Sequence, residues 1–218
     1  MPSRARINAR DRTLPEVQML IESHSELRKG KKGPDSHNTL LRSAIVILCA
    51  SWELYCEQVA VEATFKIMRS LRLVEGLPEA IKKQLMLQVH DENVWKSTPL
   101  RLAGNGWKIV HINCVNQKCK DLNTPKAANI DQLFLHSVGL KDVSKSWSHG
   151  ADEIDRLVRL RGAVAHRGAD SDRVTKETVS HFKSVISKSI SETDDALYDY
   201  LRQPSFVGKA PWQKTKKV

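Results

Sequence analysis

From Asn38 to about Leu73 the apolar residues Leu41, Ala44, Ile45, Leu48, Trp52, Tyr55, Val59 and Ala63 recur at spacings of three and four. That period places them on one broad stripe of an α-helix, so the segment is predicted to be a long core helix, capped by Asn38 or Thr39. A shorter amphipathic helix is predicted over Leu14 to Leu27 from Leu14, Val17, Leu20, Ile21 and Leu27, with Pro15 and Glu16 suited to its first turn. Pro78 opens a third segment, Glu79 to Val94, which the Ser97-Thr98-Pro99 break ends. Asn129 to Phe134 reads as a short helix with Asn129 as its cap and Gly139 at its end. A further helix runs from Asp152 to Gly168, and a last one from about Ser171 to Arg202 carries Val174, Phe182, Val185, Ile186, Ile190, Leu197 and Leu201.

One stretch resists this reading. Trp107-Lys108-Ile109-Val110-His111-Ile112 suits a strand as well as a helix. No alternating pattern is long enough for a sheet and no repeat is present, so the expected fold class is all-α, a helical bundle. The expected organisation is an N-terminal helix and basic loop over residues 1–37, a bundle domain over 38–203, and a flexible basic tail over 204–218.

Composition narrows the partners. The chain has 218 residues, 40% hydrophobic and 28% charged, with five Trp, which is ordinary for one globular domain. Its longest uninterrupted apolar run, Ala44 to Ala50, is far shorter than the roughly 20 residues of a membrane span, and the first residues lead into no apolar signal core. A cytoplasmic protein with no membrane partner is therefore expected. The four cysteines are expected to stay reduced, because Cys49 and Cys56 sit in an apolar helical run where cysteine acts as a small hydrophobe. The formal net charge of +10 favours polyanions and makes nucleic acid the leading partner class. Lys31 and Lys32, in the glycine- and proline-containing loop after the first helix, are candidate phosphate contacts, although a solvated linker is the simpler reading of that loop.

The candidate chemistry lies near the end of the helix from Asp152. Positions 154, 157, 158, 161, 164 and 165 form one stripe of that helix, and Arg161 is its only charged member. A guanidinium aimed into apolar packing needs a partner or a ligand, and an isolated Arg more often extends its head out to solvent or pairs with a core carboxylate. Glu53 is the natural carboxylate, since its own helical neighbours Cys49, Cys56 and Ala60 are apolar. His166 falls in the last helical turn, where the dipole favours cations, and imidazole can bind phosphate or pass a proton near neutral pH. Residues five apart lie about 140° from each other on a helix, so one straight helix does not aim Arg161 and His166 at the same small group. Arg159, seven residues before His166, shares its face. A site assembled across a twofold axis from two chains would resolve the geometry.

The block Ile154-Asp155-Arg156-Leu157-Val158-Arg159-Leu160-Arg161-Gly162-Ala163-Val164-Ala165-His166-Arg167-Gly168 resembles the signature of the HEPN superfamily, the higher eukaryote and prokaryote nucleotide-binding domains. That signature is an Arg, four to six residues, then a His on a late helix. Leu40 to Ala44 through Trp52 to Tyr55, and Asn129 to Phe134 leading to Val138-Gly139-Leu140-Lys141-Asp142-Val143, resemble its bacterial branch called RiboL-PSP-HEPN. The resemblance covers most of Leu40 to Ser171.

The resemblance implies a HEPN-type bundle, here with extra short helices, that dimerises with the Arg–His motifs facing each other. It also implies a metal-independent endoribonuclease in which a 2′-hydroxyl attacks the adjacent phosphate. In that scheme Arg161 stabilises the developing phosphorane charge, His166 acts as acid or base and Glu53 orients Arg161; beside them Arg159 is a candidate supporting residue on the face of His166, and Arg167 a candidate RNA contact. No cofactor is implied. RNA, with tRNA one candidate, and an antitoxin or defence partner protein are the implied partners, and a toxin or anti-phage effector is the implied role. Where active members carry a polar residue after the Arg, this chain has Gly162, so a catalytically inactive dimer that binds RNA or a nucleotide stands as the alternative. His111, Cys114 and Cys119 do not have the paired spacing of a structural zinc site, so no metal is expected.

Overall fold

A computed structural model describes residues 1–30, 37–90, 98–167, 174–203, 206 and 211–214. The helices are α1 (Arg4–Asn8), α2 (Leu14–Arg28), α3 (Asn38–Ser70), α4 (Glu79–His90), α5 (Thr98–Leu102), α6 (Gly106–Lys120), α7 (Ala127–Val138), α8 (Ala151–Arg167) and α9 (Lys176–Leu201). A π-helical turn, Ala9–Thr13, joins α1 to α2, and 3₁₀ turns precede α4 and α8. Among the described residues there is no strand, as the all-α reading required.

The central helix is α3, packed against α1, α2, α6, α7, α8 and α9. All eight residues of its predicted stripe are buried. By length and composition alone α3 could cross a membrane, contrary to the reading from uninterrupted runs; 56% of that apolar window is buried inside the bundle. Its predicted cap is corrected: His37 holds that position, and the Asn38 side chain instead donates to the Val174 carbonyl at 2.6 Å. A long-range acceptor outcompetes the local capping bond. The basic loop over 31–36 lies outside the described residues, and so do the expected ends of α4 near Val94 and of α8 at Gly168.

The ambiguous stretch is helical. In α6 the buried residues are Trp107, His111, Val115 and Cys119, a strict four-residue spacing. His111 belongs to this core because its Nε2 pairs with the Ser137 carbonyl at 2.9 Å, and burial lowers its pKa. α7 starts at Ala127, two residues before the predicted cap Asn129, and its first amide donates to Asp155 Oδ1 of α8. It ends at Gly139 as predicted, with φ of 85°. A Cβ there would also come within 2.5 Å of Pro78, so backbone conformation and close approach both require glycine.

The two chain ends hold each other. Asp194 of α9 is 1% exposed; its carboxylate accepts from the Ser3 amide at 3.2 Å and lies 3.9 Å from Arg6. The tail expected to be flexible supplies Trp212, which is buried and donates from Nε1 to the Asp194 carbonyl, and Gln213, which bonds Met1. Phe206 is buried against Tyr200. Aromatic side chains that can bury this much area hold the chain at Phe206 and Trp212 against the bundle, while positions 204, 205, 207–210 and 215–218 of the expected tail lie outside the described residues.

Burial pushes the Asp194 carboxyl up to about 6, against the opposing pull of Ser3 and Arg6. A carboxyl raised above its unfolded value binds its proton more tightly in the folded state. Its contribution therefore favours folding at low pH and is lost as pH rises from about 4 through about 6, on the order of 2–3 kcal/mol in all. Asp194→Asn keeps an acceptor for Ser3 without the charge. Relative to wild type it is expected to gain stability as pH rises across that window, measured by urea unfolding at pH 4, 5, 6 and 7; a constant difference would contradict the assignment.

Candidate functional site

Polar residues at the start of α8 fix that helix in place. Asp155 reaches α7 through the Ala127 amide. Glu153 bonds His181 of α9 at 2.6 Å and Arg156 at 2.8 Å, and these partners hold its carboxyl below the usual range. Ile154, Leu157 and Val158 are buried beneath. The first half of α8 is thus anchored on both flanks and below.

The second half is not. Arg161, Ala165 and His166 are exposed, Gly162 and Ala163 are partly so, and from Arg161 onward only Val164 is buried among the described side chains. Arg161 therefore extends to solvent from its stripe instead of ending in apolar packing. At about 100° per residue Arg161 and Ala165 still lie within about 20° of Ile154, in the middle of the stripe. They are open because the neighbouring helix does not cover them at this end. A groove of about 470 Å³ separates Val164 and Ala165 from Thr39, Arg42, Ser43, Val46 and Ile47 of α3.

Glu53 faces the same region. It is half-buried, burial raises its carboxyl pKa, and the nearby Arg161 charge pulls it back down. The same guanidinium acts on Cys49, whose thiol burial pushes up to about 11. The Arg161 charge is thus within electrostatic reach of both Cys49 and Glu53 on α3, while no direct Glu53–Arg161 ion pair forms among the described residues. Arg159 is exposed on α8. Arg167 closes α8, but its side chain, like Lys31 and Lys32, lies outside what the structure describes.

Arg42 is the residue that sequence reasoning missed. Its guanidinium donates to Thr39 Oγ1 at 3.1 Å and lines the groove beside α8. Arg42 and Glu53 are eleven residues apart, about three helical turns, and so share one stripe of α3; that register was available in the sequence. The cysteines are free, and burial raises all four thiols. Among the described residues no three His, Cys, Asp or Glu side chains gather as a metal site would require.

The family model described as RiboL-PSP-HEPN matches residues 14–199, from the start of α2 to near the end of α9. The chain belongs to the RiboL-PSP-HEPN family. The match spans both the anchored and the open halves of α8 and the whole of α3. No curated protein and no solved structure matches the chain.

For this RiboL-PSP-HEPN chain, Gly162 bears directly on the open segment. A Cβ at that position would meet nothing within 4 Å, and the residue is helical. Gly162→Ala is expected to stabilise the fold by about 0.5–1 kcal/mol, because alanine loses less backbone entropy in a helix. The gain should appear as a rise of about 1–4 °C in thermal midpoint. A fall in the midpoint would mean that Gly162 itself lies in a contact too close for a methyl group.

Proposed function

We propose that this protein is a metal-independent endoribonuclease of HEPN type, acting as a homodimer. The observation that carries this reading is the uncovered end of the α8 stripe. A helix anchored by three neighbours through Leu160 presents Arg161, Ala165 and His166 outward beside an open groove. Apolar positions left open in mid-stripe suit a second copy, and the guanidinium and imidazole suit a phosphate. With two α8 helices meeting across a twofold axis, Arg161 of one chain and His166 of the other face one scissile phosphate. His166 takes the 2′-hydroxyl proton as the 2′-oxygen attacks phosphorus, Arg161 stabilises the charge on the phosphorane, and the P–O5′ bond breaks as the imidazolium returns the proton to the departing 5′-oxygen. The products carry 2′,3′-cyclic phosphate and 5′-hydroxyl ends. Glu53 biases the Arg161 guanidinium toward α3, and Arg159, Arg167 and Arg42 add positive charge along the RNA path.

The test is a denaturing-gel assay of purified protein on total RNA and on tRNA, with and without EDTA, with end-group analysis of the products. Cleavage that survives EDTA and leaves cyclic phosphates is expected. Cleavage abolished by chelation, or products with 5′-phosphates, would reject the mechanism. In cells the same activity makes the protein a toxin or anti-phage effector held in check by a partner protein, so expression should slow growth only when Arg161 and His166 are intact.

Gly162 favours a second reading, a dimer that binds RNA or a nucleotide without cutting it. The position has room for a larger side chain. Salt-sensitive RNA binding without products, together with cleavage gained by Gly162→Asn, would select that reading.

A further inference from the structure

A second groove lies away from α8. It has a volume of about 780 Å³ and lies between α1, the second half of α3, and α6. Its apolar wall includes Phe65, a large aromatic residue left 45% exposed. Arg4, Lys66, Arg69 and Lys120 surround it, and none of their side chains has an ion pair or hydrogen bond among the described residues. The two acids in the groove oppose this charge only in part. Glu62 is already engaged by the Arg4 and Ala5 amides at 2.9 and 3.3 Å, where it caps α1. Glu57 is half-buried, and both burial and the charge of Glu53 hold its carboxyl above the usual range.

An exposed aromatic face ringed by unpaired cations has the chemistry that single-stranded nucleic acid requires: a platform on which a base can stack, and charges that follow the backbone. The position also fits. Glu57 lines the groove and lies one helical turn from Glu53, so the groove opens next to the turn of α3 that carries Glu53. Phe65 lies about 18 Å further along the α3 axis than Glu53. We infer that this groove is a second RNA subsite, in which Phe65 stacks on an unpaired base and Lys66, Arg69, Arg4 and Lys120 contact phosphates of the strand running from the α8 site. The inference rests on the ribonuclease reading for the course of that strand from α8, and on the groove alone for the class of ligand.

The variants Phe65→Ala and Lys66→Ala/Arg69→Ala are compared with wild type and with Lys188→Ala, an exposed lysine of α9 outside the groove. The measurement is binding of a fluorescent, unstructured 12-nucleotide RNA by anisotropy at several salt concentrations, beside cleavage of the same RNA. Thermal midpoints confirm that the variants fold. The expected result is a loss of affinity of about five- to 100-fold for Phe65→Ala. The double variant should lower the slope of log affinity against log salt by about 1.4, roughly 0.7 for each lost phosphate contact. Lys188→Ala should match wild type. If wild type binds and cleaves the RNA and the groove variants do the same, the subsite is wrong and the α8 reading stands. If the groove variants weaken binding to RNA that wild type holds but does not cleave, the subsite stands and the ribonuclease reading fails. If wild type binds no RNA even at low salt, both fail.

Discussion

His166→Ala is expected to lower RNA cleavage about 10²- to 10⁴-fold, the range that a positioned general acid or base contributes. Arg161→Ala should cost about 10²- to 10³-fold, as loss of one donor to a developing oxyanion does. Both side chains are exposed, so neither substitution removes core packing and thermal midpoints should stay close to wild type. The geometry adds a sharper test. If each phosphate is served by Arg161 of one chain and His166 of the other, a refolded one-to-one mixture of the two inactive variants contains about half heterodimers, each with one intact site. The mixture should regain about a quarter of wild-type activity. No recovery would mean that both groups act from one chain, in spite of the roughly 140° between them on α8.

What could be read from the sequence divides along a physical line. Periodicity found α2, α3, α8 and α9, because each hides an apolar stripe whose spacing is local information. Gly139 marked the end of α7, because a left-handed residue in close contact admits little else. The misses come from interactions between distant segments. α1 forms where Glu62 and Asp194, 58 and 191 positions away, receive its first amides. Asn38 leaves its capping position for a carbonyl 136 residues on. α6 was ambiguous because one of its four core positions is a histidine, made acceptable only by the Ser137 carbonyl.

The candidate site shows the same division. Sequence spacing placed Arg161 at the centre of the α8 stripe and singled out Glu53 as its carboxylate, and the two lie within electrostatic reach of each other. Spacing cannot say where a neighbouring helix stops covering a stripe. The exposure of Arg161 and Ala165 is a property of the α3–α8 pair, and it alters the role of the arginine. A buried guanidinium would be fixed by its partner, whereas this one is exposed, within electrostatic reach of Glu53 and without a direct ion pair to it. Arg42 was overlooked for a related reason, since its position beside α8 depends on the antiparallel course of two helices more than 100 residues apart in sequence.

The geometry of this site should be most sensitive to a residue that touches none of it. Trp52 is fully buried, stacks on Tyr55 with ring centroids 5.9 Å apart, and meets Trp147 edge-on at 5.3 Å. Its Nε1 donates to the Pro125 carbonyl at 3.1 Å, just before α7, and Trp147 donates in turn to Thr193 of α9 at 2.8 Å. Trp52→Ala opens a cavity where α3, the α7 entry and the segment leading into α8 meet, at a cost of about 3–5 kcal/mol. The orphaned Pro125 carbonyl adds about 1 kcal/mol. Against a typical stability of about 5–15 kcal/mol, the thermal midpoint should fall by roughly 10–20 °C. Trp52→Phe fills most of the cavity but loses the donor, and should cost about 1–3 kcal/mol. Because Trp147 lies four residues before α8 and rests on Trp52, cleavage should fall further in Trp52→Phe than the unfolded fraction explains. Activity that only tracks that fraction would show that α8 is positioned without Trp52.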